Sequence, residues 1–143
     1  AERMLLQADR LVNALEVTGS ATRLHVINVC GRQRMLSQRL AQQSLLSVLL
    51  RGEAAEKARA EADRAAAEFE QALAHLNAAP LTSREIREAL DEAGRLGTAL
   101  AKARAKVKSA EGQKALGETS EALLALFEQL TERYERSMQM LMG

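Results

Sequence analysis

The chain has a single proline, Pro80, in 143 residues. A chain this poor in helix breakers, built mainly of Ala, Leu, Glu, Arg, Lys and Gln, has few ways to end a helix once one has begun. Only 2% of residues are aromatic, and the β-branched residues are scattered, so nothing supplies the runs that strands need. The fold class is therefore all-α. The scarce punctuation divides the chain. Gly52 interrupts a pattern that starts near Glu2, and "NAAPLTSRE" around Pro80 forces a boundary because proline lacks a donor and pushes its predecessor out of the helical region. Thr82 with Glu85 reads as a capping box, and Gly112 in "SAEGQ" as a helix end in the left-handed conformation. The spacing predicts helices over about 2–51, 53–78, 83–109 and 113–142.

Three of these carry apolar stripes at three- and four-residue steps. The second presents Ala55, Ala58, Ala62, Ala65, Phe69, Ala72 and Leu76, the third Ile86, Ala89, Ala93, Leu96, Leu100, Ala103 and Val107, and the fourth Leu116, Leu123, Phe127, Leu130, Tyr134, Met138 and Leu141. Short connections make neighbours antiparallel, so residues 1–143 are expected to form one up-down-up-down four-helix bundle. The first helix is too long for its partners. Either residues 1–20 project beyond the bundle, or "EVTGSAT" breaks the helix in two. Both chain ends fall at one end of such a bundle, which suits a module hung from a membrane. No apolar run is long enough to span one, and a start at Ala without a signal peptide is expected of a domain cut from a longer protein.

The 20 Lys and Arg against 19 Asp and Glu, with almost no aromatics for base stacking, give no footprint for nucleic acid. Cys30 is alone and reads as an inert buried thiol. His25 and His75 lie far apart in sequence, with no Glu-x-x-His and no Cys-x-x-Cys-His, so neither a metal nor a haem is expected. Met138 and Met142 share a face near the end of the last helix and read as packing. There is no nucleophile paired with a base and no glycine-rich phosphate loop, so neither an enzyme nor a cofactor is expected.

One stretch is different. "INVCGRQRMLSQRLAQQ", Ile27–Gln43, carries Arg32, Arg34 and Arg39, yet no Asp or Glu occurs between Glu16 and Glu53. Solvated helices usually pair such arginines with acids one turn away. Ile27, Gly31, Arg34, Gln38, Ala41, Leu45 and Val48 follow packed-helix spacing, which sets Arg34 on the expected seam. Gly31, one turn before it, costs the helix about 1 kcal/mol relative to alanine and leaves room beside the guanidinium. Gln38 follows one turn later, and Asn28 lies alongside. An arginine on a seam stays charged and needs a counter-charge. A carboxylate of another helix is one source, and a bound planar oxyanion that fits the guanidinium fork is the other. If two copies of this helix meet across a two-fold axis, an anion between the paired arginines ties binding to dimerisation. Arg32 and Arg39 fall off the seam, where solvent or acids of another helix meet them.

The residues of "INVCGRQRMLSQRLA" resemble the signature of PilJ-type sensor domains, the N-terminal domains of type IV pili methyl-accepting chemotaxis transducers. They are similar, more loosely, to the first-helix motif of bacterial nitrate/nitrite sensor kinases. Asn28, Gly31, Arg34 and Met35 match both patterns, whereas Gln33, Leu36, Ser37, Gln38 and Arg39 match the PilJ type alone. Cys30 departs from the small Ala or Ser usual before the glycine. The resemblance implies a signal-transducing four-helix sensor of a chemoreceptor or sensor kinase, periplasmic (the alternative is cytoplasmic), flanked by transmembrane and signalling segments. It implies a homodimer that binds nitrate or nitrite between two first helices, with Arg34 as the main contact and Gly31, Asn28 and Gln38 around it. The rival reading is a helical interaction or dimerisation module with no small ligand.

Overall fold

The computed structural model describes the backbone of residues 2–79 and 83–142, and the side chains of residues 24–79, 83–136 and 139. It contains α1 (Glu2–Leu49), α2 (Gly52–Ala78), α3 (Arg84–Ala105) and α4 (Ala110–Met142), with no strand among the described residues. The chain is an all-α four-helix bundle. α1 packs against α2 and α4, α3 packs against α4, and α2 and α3 meet at few points.

The ends of the helices follow local chemistry. Arg51 is extended, and Gly52 opens α2 at φ 63, a left-handed conformation that glycine adopts without steric cost. At the far end of α2, Ala79 donates its N–H to the carbonyls of His75 and Leu76 and then turns extended, as a residue before proline must. The cap of α3 is Ser83, one residue later than expected, with its Oγ accepting from the Ile86 N–H at 3.1 Å. Thr82 lies outside the described residues. With Ser83 as cap, the reciprocating position belongs to Ile86 rather than Glu85, and the Glu85 carboxylate instead accepts from Arg133 of α4 at 2.5 Å.

The turn between α3 and α4 corrects a second expectation. α3 stops at Ala105 and α4 starts at Ala110, so Gly112 lies inside the first turn of α4 rather than at a helix end. No left-handed residue other than Gly52 occurs among the described residues. Ser109 accepts the Gly112 N–H at 2.9 Å, and the Gln113 amide donates to the Val107 carbonyl at 3.0 Å, so side chains close the corner. The glycine is needed for space: a Cβ at Gly112 would stand 1.9 Å from the Lys106 carbonyl oxygen.

The core follows the expected stripes on three helices, except that Ala55, Ala72, Ala89, Leu96 and Val107 are only half-buried and Leu90 of α3, outside the expected stripe, is fully buried. Ala58, Ala62, Ala65, Phe69 and Leu76 of α2 are buried, as are Ile86, Ala93, Leu100 and Ala103 of α3 and Leu116, Leu123, Phe127, Leu130 and Tyr134 of α4. Phe69 and Phe127 meet edge to face with ring centroids 6.1 Å apart. The side chains of Met138, Met140, Leu141 and Met142 lie outside the described residues.

On α1 the expected seam is corrected. The residues turned into the bundle are Val26, Cys30, Gln33, Leu36, Ser37, Leu40, Ala41 and Ser44. Of the seven seam positions read from spacing, only Ala41 is fully buried, while Ile27, Gly31, Arg34, Gln38, Leu45 and Val48 are half-buried at the edge. The buried stripe is displaced by about one residue, a rotation of roughly 100° about the helix axis. Of the two readings of its N-terminal half, the unbroken one holds, since α1 is a single helix of 48 residues.

Candidate anion-binding edge of the first helix

The arginines of α1 divide by partner. Arg32 donates to Glu68 of α2 from Nε at 3.0 Å and Nη2 at 2.5 Å. Arg39 donates to Glu61 at 2.5 Å, and Arg64 reaches the other oxygen of that carboxylate at 2.7 Å. These bonds, with Arg39 first, hold the Glu61 carboxyl below its ordinary range. The acids of α2 thus supply the counter-charges missing from α1. Arg34 has no carboxylate within ion-pair distance among the described residues.

Arg34 is half-buried, not on a buried seam. Its guanidinium folds back over Gly31, where Nη2 stands 3.7 Å from the place a Cβ would take. That is ordinary contact, so alanine fits there, while a longer side chain would compete with the guanidinium. Gln38 occupies the same edge one turn on, but its amide donates to the Ser120 carbonyl of α4 at 3.2 Å. This bond pins the α1–α4 contact and occupies a donor that was expected to face the ligand. Asn28 is exposed. The structure therefore brings Arg34 and Gly31 together, turns Gln38 toward α4, and leaves Asn28 on the open side of the helix.

That open side has its own pattern. Leu24, Asn28, Gly31, Met35, Gln38, Gln42, Leu45 and Leu49 alternate by four and three along α1. Leu24 is 51% exposed, Met35 41% and Leu49 71%, with no acid among them. This is the heptad spacing of a helix that packs against another helix; Leu24, Asn28, Met35, Gln42 and Leu49 are exposed, while Gly31, Gln38 and Leu45 are half-buried at the edge of the bundle. It was legible in the sequence as a second 4–3 series, hidden because three of its eight members are amides and one is glycine.

Beneath Arg34 lies a buried polar cluster that spacing did not reveal. Gln33 is fully buried and donates to the Phe69 carbonyl at 2.9 Å, while its Oε1 has no partner among the described residues. The Tyr134 hydroxyl is likewise buried and unpartnered. Burial pushes the Cys30 thiol from 9.0 up to about 12, against the opposing charge of Arg34. Burial, reinforced by Cys30, pushes Tyr134 from 10.0 up to about 12, while Arg87 pulls the other way. Cys30 is thus the inert thiol expected of it. The unfolded chain releases these two protons at lower pH than the folded one, so the folded state binds more protons between about pH 9 and 12. Stability is fully present below pH 9 and falls as pH rises through that window. Thermal unfolding followed from pH 8 to 11 should show a falling midpoint, and Cys30→Ala should flatten the first part of the fall. A wild-type midpoint that does not change over that range would contradict it.

His25 and His75, distant in sequence, meet edge to face at 4.9 Å between centroids, because the start of the bundled part of α1 lies beside the end of α2. No cluster of three metal-ligating side chains occurs among the described residues.

Four long helices in up-and-down order, with the polar chemistry gathered along the first, define the class as an all-α four-helix bundle. The chain belongs to the PilJ family: residues 18–115 match the type IV pili methyl-accepting chemotaxis transducer N-terminal domain. It is a sensor domain of the chemoreceptor kind, from a family that senses rather than catalyses and whose members usually stand outside the membrane of the receptor they serve. The match runs from α1 into the first turns of α4 and includes the whole Arg34 stretch. No curated protein and no solved structure matches the chain. No helix among the described residues is long and apolar enough to cross a membrane.

Proposed function

We propose that residues 1–143 act as one periplasmic sensor domain, with α1 continuing past the bundle over residues 1–20. In this reading it binds a small oxyanion, nitrate first, between the α1 helices of a homodimer and passes the signal to flanking membrane and output segments. The observation that carries it is the contrast among three arginines on one helix. Arg32 and Arg39 have carboxylate partners, and Arg34, beside an exposed acid-free heptad stripe, has none among the described residues.

A second α1 packed on that stripe would bring two unpaired guanidiniums to one interface. At an effective dielectric of about 20 and a separation of about 6 Å, they repel by roughly 3 kcal/mol. An anion between them replaces repulsion with two charge-assisted contacts, so binding and dimerisation strengthen together. A planar oxyanion suits two forks better than a spherical halide does.

Sedimentation with and without nitrate, paired with titration calorimetry against nitrate, nitrite, chloride and sulfate, tests the proposal. The expected result is a monomer–dimer equilibrium that shifts to dimer with nitrate, at one anion per two chains. A dimer indifferent to all four anions would favour an interaction module without a ligand. Anion binding to a protein that stays monomeric would remove the symmetric interface.

A further inference from the structure

The sparse contact between α2 and α3 opens a cavity of about 640 Å³ on the side of the bundle away from Arg34. Its volume falls in the range of small-molecule sites. Leu40, Phe69, Leu73 and Leu100 supply an apolar wall. Into this wall α1 sets Ser44, whose residue is 1% exposed and whose Oγ has no hydrogen-bond partner among the described residues. A buried hydroxyl without a partner is costly, so its presence at an open cavity calls for one.

All the basic residues around the cavity are gathered at one end, and of its two acids only the exposed Glu70 lies at the other. Arg59, Asp63, Arg104 and Lys108 lie at the end marked by the α1–α2 and α3–α4 turns, whereas Phe69, Leu73 and Gly94 line the other. Arg104 pairs with Asp63. Arg59 and Lys108 have no carboxylate partner among the described residues. From Arg59 to Phe69 the α2 axis advances about 15 Å, which leaves room for an extended ten-carbon chain.

We propose that the α2–α3 cavity is a second ligand site, independent of the Arg34 edge, for a medium-chain monocarboxylate. The carboxylate lies toward Arg59 and Lys108, where Ser44, near the end of α1, donates a hydrogen bond to one of its oxygens, and the hydrocarbon runs down to Phe69.

Gly94 provides a clean test. It lines the cavity, and a Cβ built there meets nothing within 4 Å, so Gly94→Leu fills the site without a clash and replaces a poor helix former with a good one. Titration calorimetry with decanoate below its micelle concentration should show one molecule per chain, with decanol at least tenfold weaker. Gly94→Leu should bind neither and unfold at or above the wild-type temperature. The double variant Arg59→Gln, Lys108→Gln should lose the preference for decanoate over decanol, whereas Arg34→Ala should bind decanoate as wild type does. No saturable decanoate binding by wild type, or full binding by a folded Gly94→Leu, would overturn the site. Equal affinity of wild type for decanoate and decanol would overturn the carboxylate. Neither result bears on the anion proposed for Arg34.

Discussion

Alanine at Gly112 is expected to destabilise the bundle by about 3 kcal/mol, as overpacking against fixed atoms does. For a domain of this size that lowers the unfolding midpoint by roughly 10 °C. Propensity alone predicts the opposite sign, since Gly→Ala inside a helix ordinarily gains about 1 kcal/mol. The difference lies in what a Cβ would meet. At Gly112 it would stand 1.9 Å from the Lys106 carbonyl oxygen and 2.4 Å from its carbon, both backbone atoms that cannot rotate away. Relief requires the corner to open, which breaks the bonds from Gly112 to Ser109 and from Gln113 to Val107. Gly94 and Gly117 are the controls. A Cβ at either meets nothing within 4 Å, so Gly94→Ala and Gly117→Ala should each raise stability by about 1 kcal/mol. Thermal and urea unfolding of the three variants would settle the matter, and a stabilised Gly112→Ala would show the corner to be looser than described.

The second large effect concerns ligand affinity. Arg34→Ala should abolish nitrate binding and leave the fold intact, because the side chain is half-buried and forms no ion pair with the described residues. Arg34→Lys should bind at least tenfold more weakly than wild type, since an ammonium keeps the charge and loses the planar fork. Arg32→Ala is the contrasting case. Its exposed pair with Glu68 is worth under about 1 kcal/mol, so both stability and nitrate affinity should change little. Calorimetry on the three variants separates a local contact from a general dependence on positive charge. If Arg34→Ala binds like wild type, the anion site is elsewhere.

The fold was legible because three helices keep their apolar residues in register. Ala58 to Leu76, Ile86 to Ala103 and Leu116 to Tyr134 face inward as their spacing requires. α1 was harder because Cys30, Gln33, Ser37 and Ser44 occupy its inward face. A periodicity that counts apolar residues passes over such positions and settles on the neighbouring stripe, which carried Arg34 inward with it. The pairing of Arg32 and Arg39 with acids of another helix was foreseen in kind, because α1 has none of its own to offer. Which acids they would meet depended on the register between α1 and α2, which composition does not encode. The corner at Gly112 was misplaced for a related reason. Glycine marks both left-handed ends and close approaches, and only the position of the Lys106 carbonyl tells them apart. The cavity between α2 and α3 is set by how two helices fail to meet, which neither helix's own pattern records.

The first helix runs from Glu2 to Leu49 without a break. It contains no proline to act as a joint, and Gly19 and Gly31 are absorbed into regular turns. Between the level of Arg34 and the start of the helix the axis covers about 48 Å. A rod without a joint does not dissipate a movement applied part-way along it. In the proposed reading, a shift imposed where Arg34 stands would reach the start of the helix with no joint on the way to absorb it. The bundle holds the C-terminal half of that bar between α2 and α4, so those two helices would set the direction in which such a shift could travel.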